Sequence, residues 1–142
     1  VAWGELDYLI IDLPPGTGDE PLALLQLIDD ATGAVVVTTP QATATNVASR
    51  VAKMADKTKL EVIGVIENMA YYDNNGQRDY IFGKDGGKEL AKKLNVAFLG
   101  EIPLTTSIRE GSDNGTPVAS DGTENEVALF ESIAQTIIAM KH

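Results

Sequence analysis

Residues 8–20 have the sequence YLIIDLPPGTGDE. The pattern of this segment predicts a strand, a turn and the start of a helix. Residues 8–11 are apolar and end at Asp12, and short apolar runs bounded by turn residues are typical of strands buried on both faces. Pro14 and Pro15 cannot continue a central strand or a helix interior. Asp19 then predicts the N-cap of a following helix, because its carboxylate can accept from the first free N–H groups.

The rest of the chain repeats this alternation of strand and helix. Apolar runs predict strands over residues 34–39, 62–66 and 97–102. Helical patterns cover residues 41–55, 86–94 and 124–140, with a short helix around residues 108–109 and a loop-rich stretch over residues 111–122. Alternating strands and helices form βαβ units, whose right-handed crossovers place helices on both faces of a parallel sheet. We therefore predict a three-layer α/β fold with a mostly parallel sheet, built by residues 1–142 as a single domain.

Two segments carry more detailed predictions. Residues 71–82 are polar with a turn signal at residues 74–76, which predicts a hairpin. The aromatic side chains of this segment form either a small satellite core or an interaction surface: Tyr71, Tyr72, Tyr80 and Phe82. The inward stripe of the last helix is predicted to contain Val127, Phe130, Ile133, Ala134 and Ile137.

Composition excludes several classes of function. The net charge is −10, from 21 acidic and 11 basic residues, and it opposes binding to nucleic acid or to an anionic membrane. The chain has no cysteine, and its one histidine is the last residue, His142. No apolar run approaches the roughly 20 residues of a membrane span, and no signal peptide is visible. We expect a cytoplasmic protein, and the opening at Val1 leads us to expect a part of a longer one.

The predicted strands end in residues suited to ligand binding. Ligands of open parallel sheets bind beyond the carboxyl ends of the strands, where Asp12, Pro40, Asn68 and Pro103 fall. A carboxylate at the end of an apolar strand needs Mg²⁺, water or a hydrogen-bond network to compensate it, although Asp12 could simply cap a turn. Gly16 lacks a side chain, so its N–H can come close to a phosphate.

Several strings together resemble one family. Residues 8–20 resemble the signature of the Mrp/ApbC type of P-loop ATPases, which are related to MinD and ParA. Further strings agree in the same order: VVTTPQ at 36–41, GVIENM at 64–69, IFG at 81–83, FLGEIPL at 98–104 and IREG at 108–111. The resemblance covers the whole chain and implies part of a P-loop NTPase fold.

The resemblance also implies roles for single residues. Asp12 would hold Mg²⁺ and Gly16 would sense the γ-phosphate of ATP. Asn68 would contact adenine, while Pro103 and Leu104 would belong to a loop packed beside the base. ATP would lock a homodimer, and iron–sulfur apo-proteins would be its clients. From the residues alone, capping of a strand end is the favoured interpretation of Asn68, and Pro103 could simply terminate a strand.

Two departures from the family pattern affect the predicted activity. The Gly-rich, lysine-containing phosphate loop of the relatives is absent, so we predict that this chain alone neither binds ATP tightly nor hydrolyses it, whereas its parent does both. Many relatives have a Cys-x-x-Cys pair where residues 72–78 read YDNNGQR, so an iron–sulfur cluster is not expected at that site. The alternatives are a ParA/MinD-like positioning ATPase and a non-catalytic interaction domain.

Overall fold

The computed structural model describes residues 2–13, 28, 31–41 and 44–140. Gly16 lies outside the described residues, as does nearly all of the helix predicted to begin at Asp19. The side chains of residues 44, 45 and 49 are likewise not described.

The described elements follow the predicted alternation closely. The strands are β1 (Ala34–Thr38), β2 (Val62–Glu67), β3 (Tyr72–Asn74), β4 (Gln77–Asp79) and β5 (Ala97–Glu101). The helices are α1 (Ala44–Thr58), α2 (Gly86–Leu94), α3 (Thr106–Asn114), α4 (Val118–Asp121) and α5 (Glu124–Ala139). Strands β1, β2 and β5 form a parallel sheet in the order β1-β2-β5. Strands β3 and β4 form the predicted hairpin, which turns through Asn75 and Gly76, both at positive φ.

Alternate residues of the sheet pack against helices on its two faces. On one face, Val65 lies in a buried cluster with Leu90 and Ala91 of α2. On the other face, Ile66 and Leu99 lie in a second cluster with Ile133 of α5. Successive strand residues point to opposite faces, so an apolar run such as β2 contributes to both clusters. The predicted three-layer arrangement is confirmed.

The strand predicted for residues 8–11 is wrong. This segment has no regular structure, and its side chains are exposed, with Ile10 at 87%. An extended segment becomes a buried strand only when neighbours satisfy its backbone and cover its side chains. In the described part of the chain the sheet consists of β1, β2 and β5, so residues 8–11 have no strand beside them. Asp12, at the end of this segment, is exposed as well.

Two smaller predictions also need correction. Residues 111–122 are mostly helical, because α3 continues to Asn114 and α4 begins at Val118. Gly115 ends α3 in the left-handed conformation that favours glycine, which is the usual way to close a helix. In α5, Ala134 is exposed and Leu129 packs against the sheet instead. The inward residues are therefore spaced by four, a spacing that aligns side chains on one face of a helix.

Candidate functional site

The chain segments that follow β1, β2 and β5 are joined by backbone hydrogen bonds beyond the strand ends. The Asn68 N–H donates to the Thr38 carbonyl at 2.7 Å, which holds the end of β2 to the end of β1. The Ile102 N–H donates to the Glu67 carbonyl at 2.8 Å, and the Ala70 N–H donates to the Ile102 carbonyl at 2.9 Å. The parallel ladder thus continues into the loops, and Asn68 is fixed at the carboxyl edge of the sheet.

The loop after β5 reaches the same edge. The Leu104 N–H donates to the Tyr71 carbonyl at 2.8 Å, so this loop runs beside the loop that carries Asn68. Pro103 and Leu104 are both half-buried there. The structure therefore brings together three of the residues that the sequence singled out: Asn68, Pro103 and Leu104.

The side chain of Asn68 is held by its own neighbour. Its Oδ1 accepts from the Met69 N–H at 2.9 Å, and Met69 adopts a left-handed conformation with φ 55°. This conformation is uncommon for a residue with a side chain, and such positions cluster at functional sites. An amide carbonyl has two lone pairs and the amide nitrogen two N–H donors, so Asn68 retains both a donor and an acceptor for a ligand.

A buried carboxylate that the sequence analysis gave no role lies directly before Asn68. In the described part of the chain, Glu67 is the only charged side chain that is buried, and it is 1% exposed. Its Oε2 accepts a hydrogen bond from the Gly87 N–H in the first turn of α2. An acidic residue at the end of an otherwise apolar strand, as in VIGVIE at residues 62–67, was the signal available in the sequence.

Burial is the largest influence on the pKa of the Glu67 carboxyl group. Loss of solvent raises the pKa of its carboxyl group, and the Gly87 hydrogen bond lowers it by a smaller amount. Glu101 and Asp85 raise the pKa further, while Lys88 lowers it. Glu101 has this effect because it is the direct partner of Glu67 across the β2–β5 ladder.

The first turn of α2 fits closely against the strand ends. A side chain at Gly86 would place its Cβ 2.3 Å from the Pro40 carbonyl oxygen. A Cβ at Gly87 would lie 2.8 Å from the Cβ of Glu67. Both glycines are required by this approach, and Pro40, which is buried, forms part of the contact surface.

A second, more exposed charged cluster connects the hairpin to this region. The Lys88 ammonium contacts Glu101 and, at 2.9 Å, Asp85. These two carboxylates raise the pKa of Lys88, whose side chain is 47% exposed. Arg78 of β4 also reaches Glu101, at 3.4 Å, and its guanidinium lies 4.0 Å from the centre of the Tyr71 ring. The cluster holds the hairpin near the carboxyl edge.

The aromatic side chains of the hairpin segment differ in exposure, and the choice between a satellite core and an interaction surface stays a prediction. Tyr71, Tyr80 and Phe82 are half-buried, and the Lys84 ammonium lies 4.8 Å from the centre of the Tyr80 ring. Tyr72, by contrast, is 44% exposed. Cation–aromatic contacts anchor this segment, and Tyr72 is its exposed ring.

The loop after β5 is fixed at its far end by a hydrogen-bond network. Thr105 caps α3 by accepting from the Ile108 N–H at 3.2 Å. Ser107 donates to Glu126, which also forms a capping box with Thr123 at the start of α5. The Ser107 hydrogen bond, followed by those from Thr123, lowers the pKa of Glu126. These hydrogen bonds join the N-termini of α3 and α5 immediately after Leu104 in the chain.

The predicted role of Asp12 in binding Mg²⁺ stays a prediction. The buried strand end that motivated it is wrong, since Asp12 is exposed. Among the described residues, no group of three or more His, Cys, Asp or Glu side chains could hold a metal ion. The chain also has no cysteine, so its residues do not fit an iron–sulfur cluster held by thiolates. In that same part of the chain, no helix is long and apolar enough to cross a membrane.

A parallel sheet with helices on both faces and polar residues at its carboxyl edge defines the α/β class that binds ligands at that edge. A family model described as NUBPL iron-transfer P-loop NTPase (ParA) matches residues 1–138. A solved structure of a nucleotide-binding protein from Archaeoglobus fulgidus, in complex with ADP, superposes with a TM-score of 0.73. It is 47% identical and covers 81% of this chain and 48% of its own. The chain belongs to the ParA-type P-loop NTPase family that this model describes.

Curated relatives agree with this assignment. The "Iron-sulfur cluster carrier protein" of Bacillus subtilis is 45% identical over 141 residues, which are 98% of this chain and 40% of the relative. The "Iron-sulfur protein required for NADH dehydrogenase, mitochondrial" of Arabidopsis thaliana is 40% identical over 97% of this chain and 45% of the relative. The chain therefore spans less than half the length of these relatives.

Proposed function

We propose that this chain is the C-terminal, base-recognising part of an ATPase domain that serves iron–sulfur cluster transfer or assembly. The observation that carries the proposal is the meeting of Asn68 with Pro103 and Leu104 at the carboxyl edge of the sheet. The similarity to the ADP-bound nucleotide-binding protein supports a nucleotide as the ligand of this edge. The names of the relatives support the iron–sulfur role.

Asn68 has the chemistry to read adenine. Adenine presents a donor and an acceptor side by side. An amide side chain can accept from that donor and donate to that acceptor at the same time. Guanine presents two acceptors, N7 and O6, on the edge where adenine presents N7 and the N6 donor, so a fixed amide discriminates between the two bases. Pro103 and Leu104 supply apolar surface on which a planar base can pack.

Asp12 would bind Mg²⁺ together with water and phosphate oxygens. Magnesium commonly keeps several waters and takes one or two carboxylates, which the single, exposed carboxylate of Asp12 fits. The ion would neutralise charge on the transferred phosphate, and the Gly16 N–H would approach the γ-phosphate. The sequence contains no G-x-x-x-x-G-K motif, so this chain alone would bind ATP weakly and would not hydrolyse it.

The absence of cysteine bears on the cargo. An iron–sulfur cluster handled by the whole protein would need thiolates from outside this chain, either elsewhere in the protein or from an apo-protein client. A nucleotide-dependent homodimer in the cytoplasm, with such apo-proteins as clients, is part of the proposal. The same absence of cysteine keeps a ParA/MinD-like positioning ATPase as the second candidate.

The test uses the intact protein with its phosphate-binding loop. Asn68→Ala is expected to weaken ADP binding about tenfold and to reduce the preference for ADP over GDP, because a specific hydrogen-bonding pair is lost. Asp12→Ala is expected to abolish Mg²⁺-dependent ATP turnover while leaving that preference intact. Asn114→Ala, at the end of α3, is the matched control. An Asn68→Ala protein with the wild-type preference would refute the base-site assignment.

Cluster transfer needs its own measurement. The intact protein is loaded with an iron–sulfur cluster and mixed with an apo-ferredoxin, and the ferredoxin's visible absorbance is followed. Transfer supports the iron–sulfur role. Failure to bind any cluster, together with ATP turnover that continues, would favour the positioning ATPase.

A further inference from the structure

We infer that Glu67 is a positioning residue for base recognition: its buried carboxylate holds the N-terminus of α2 and thereby fixes the backbone that carries Asn68. The inference rests on the proposed function, because it assigns a supporting residue to the same base site. Glu67 itself is not placed against the ligand, since its side chain points into the contact between β2 and α2.

The main chain at Glu67 is held by two neighbouring strands. Its carbonyl accepts from the Ile102 N–H, and the next residue, Asn68, donates to the Thr38 carbonyl. The side chain adds a third attachment, because it accepts from the Gly87 N–H. The residue directly before Asn68 is therefore fixed on three sides, by β1, β5 and α2.

The contact with α2 is built for this carboxylate. The residue before α2, Asp85, has left-handed backbone angles and its side chain makes no capping hydrogen bond. Glu67, although distant in sequence, supplies such a cap, because its Oε2 accepts from the Gly87 N–H, one of the free N–H groups of the first turn. Gly87 has no side chain, and this leaves room for the Glu67 carboxylate. A Cβ at residue 87 would also lie 3.0 Å from Oε2 of Glu67.

A charged group is costly to bury, so its retention here needs a reason. An apolar side chain would fill the same volume but would leave the Gly87 N–H without its acceptor. The helix dipole offsets part of the cost of burying a negative charge at the helix N-terminus. Both effects fix the orientation of α2 relative to β2. The loop that carries Asn68 continues directly from β2, so its position depends on that orientation.

The experiment measures base preference in the intact protein. Fluorescent ADP and GDP analogues give the ratio of the two dissociation constants, and inorganic tripolyphosphate reports the phosphate site alone. Glu67→Ala is expected to lower the ADP preference about tenfold, close to the effect of Asn68→Ala, with tripolyphosphate affinity unchanged. Glu67→Gln retains a carbonyl acceptor for the Gly87 N–H and is expected to retain most of the preference.

A second variant perturbs the contact from the opposite side. Gly87→Ala retains the carboxylate but crowds it and forces α2 away from β2, and it is expected to lower the ADP preference in the same way. This variant decides the matter if Glu67→Ala does not fold. In the folded double variant Glu67→Ala/Asn68→Ala, no further loss of preference is expected beyond Asn68→Ala alone.

The outcomes separate the inference from the proposed function. A wild-type ADP preference in Gly87→Ala and in any folded Glu67→Ala protein, with a reduced preference in Asn68→Ala, overturns the positioning role alone. A parallel loss of tripolyphosphate affinity also overturns it, because the effect would then be a general loss of structure. An unchanged preference in Asn68→Ala overturns the base site and the positioning role together.

Discussion

Two stretches of this chain have nearly the same local pattern and opposite environments. Residues 8–12 read YLIID and residues 63–67 read IGVIE, each an apolar run that ends in an acid. The second stretch is a strand with β1 and β5 on either side, and its acid is buried. The first has no regular structure, and its acid is exposed. The comparison shows that burial of an apolar run depends on the strands beside it.

The largest expected effect tests whether the two stretches differ in packing. Leu90→Ala, in the cluster that covers β2, should lower the free energy of unfolding by about 2–5 kcal/mol, because Leu90 is fully buried. Ile10→Ala, in the first stretch, should change it by no more than about 0.5 kcal/mol. Urea denaturation of each variant measures both values. A large loss from Ile10→Ala would mean that residues 8–11 are packed after all.

The two strand-end acids provide the next comparison. Glu67→Leu should destabilise the chain by about 1–3 kcal/mol, because the buried Gly87 N–H loses its acceptor. Asp12→Leu should have little effect, since Asp12 is exposed. The same denaturation measurement applies. Equal effects of the two substitutions would remove the distinction drawn between the buried and the exposed acid.

The pH dependence of stability should differ in sign between Glu67 and Glu126. The pKa of Glu67 is raised above its ordinary value of 4.5, so folding is favoured by the protonated form, and its contribution is lost as pH rises through the folded pKa. Replacing Glu67 with Gln removes that titration and keeps the acceptor. Stability of Glu67→Gln relative to the wild type should therefore increase as pH rises above about 4.5.

Glu126 gives the opposite case. Its pKa is lowered, so its contribution is present above the ordinary value of 4.5 and is lost as pH falls through the folded pKa. Stability of Glu126→Gln relative to the wild type should be lowest near neutral pH and recover in acid. Thermal unfolding across a pH series checks both variants. Parallel pH profiles for the two variants would contradict the assigned directions.

The sequence predicted the elements that are set by a local residue pattern. It did not predict features that depend on contacts with segments distant in sequence. Helix α2 matches its predicted bounds, because glycines and an apolar stripe mark it locally. The hairpin turn was readable from Asn75 and Gly76, which tolerate positive φ. The exposure of residues 8–11 could not be predicted in this way, because it follows from the lack of an adjacent strand among the residues that the structure describes.

The candidate site shows the same division. Asn68 and Pro103 follow predicted strands, and parallel topology brings such residues to one edge. The role of Glu67 depends on α2, which begins about twenty residues later, and on the space left by Gly87. No spacing rule connects those positions, so only the packed structure reveals the contact.

The smallest expected effect concerns the charged cluster that attaches the hairpin. Arg78→Ala should lower the free energy of unfolding by less than about 1 kcal/mol, because Arg78 is half exposed and its pairing with Glu101 at 3.4 Å is screened by solvent. Arg78→Lys keeps the charge and should keep part of that contribution, although lysine loses the planar contact with Tyr71. Repeating the urea denaturation at high salt should reduce the difference between wild type and Arg78→Ala, since screening weakens exposed ion pairs. A difference that does not respond to salt would assign the effect to the Tyr71 contact, and the hairpin would then be attached mainly through its aromatic ring.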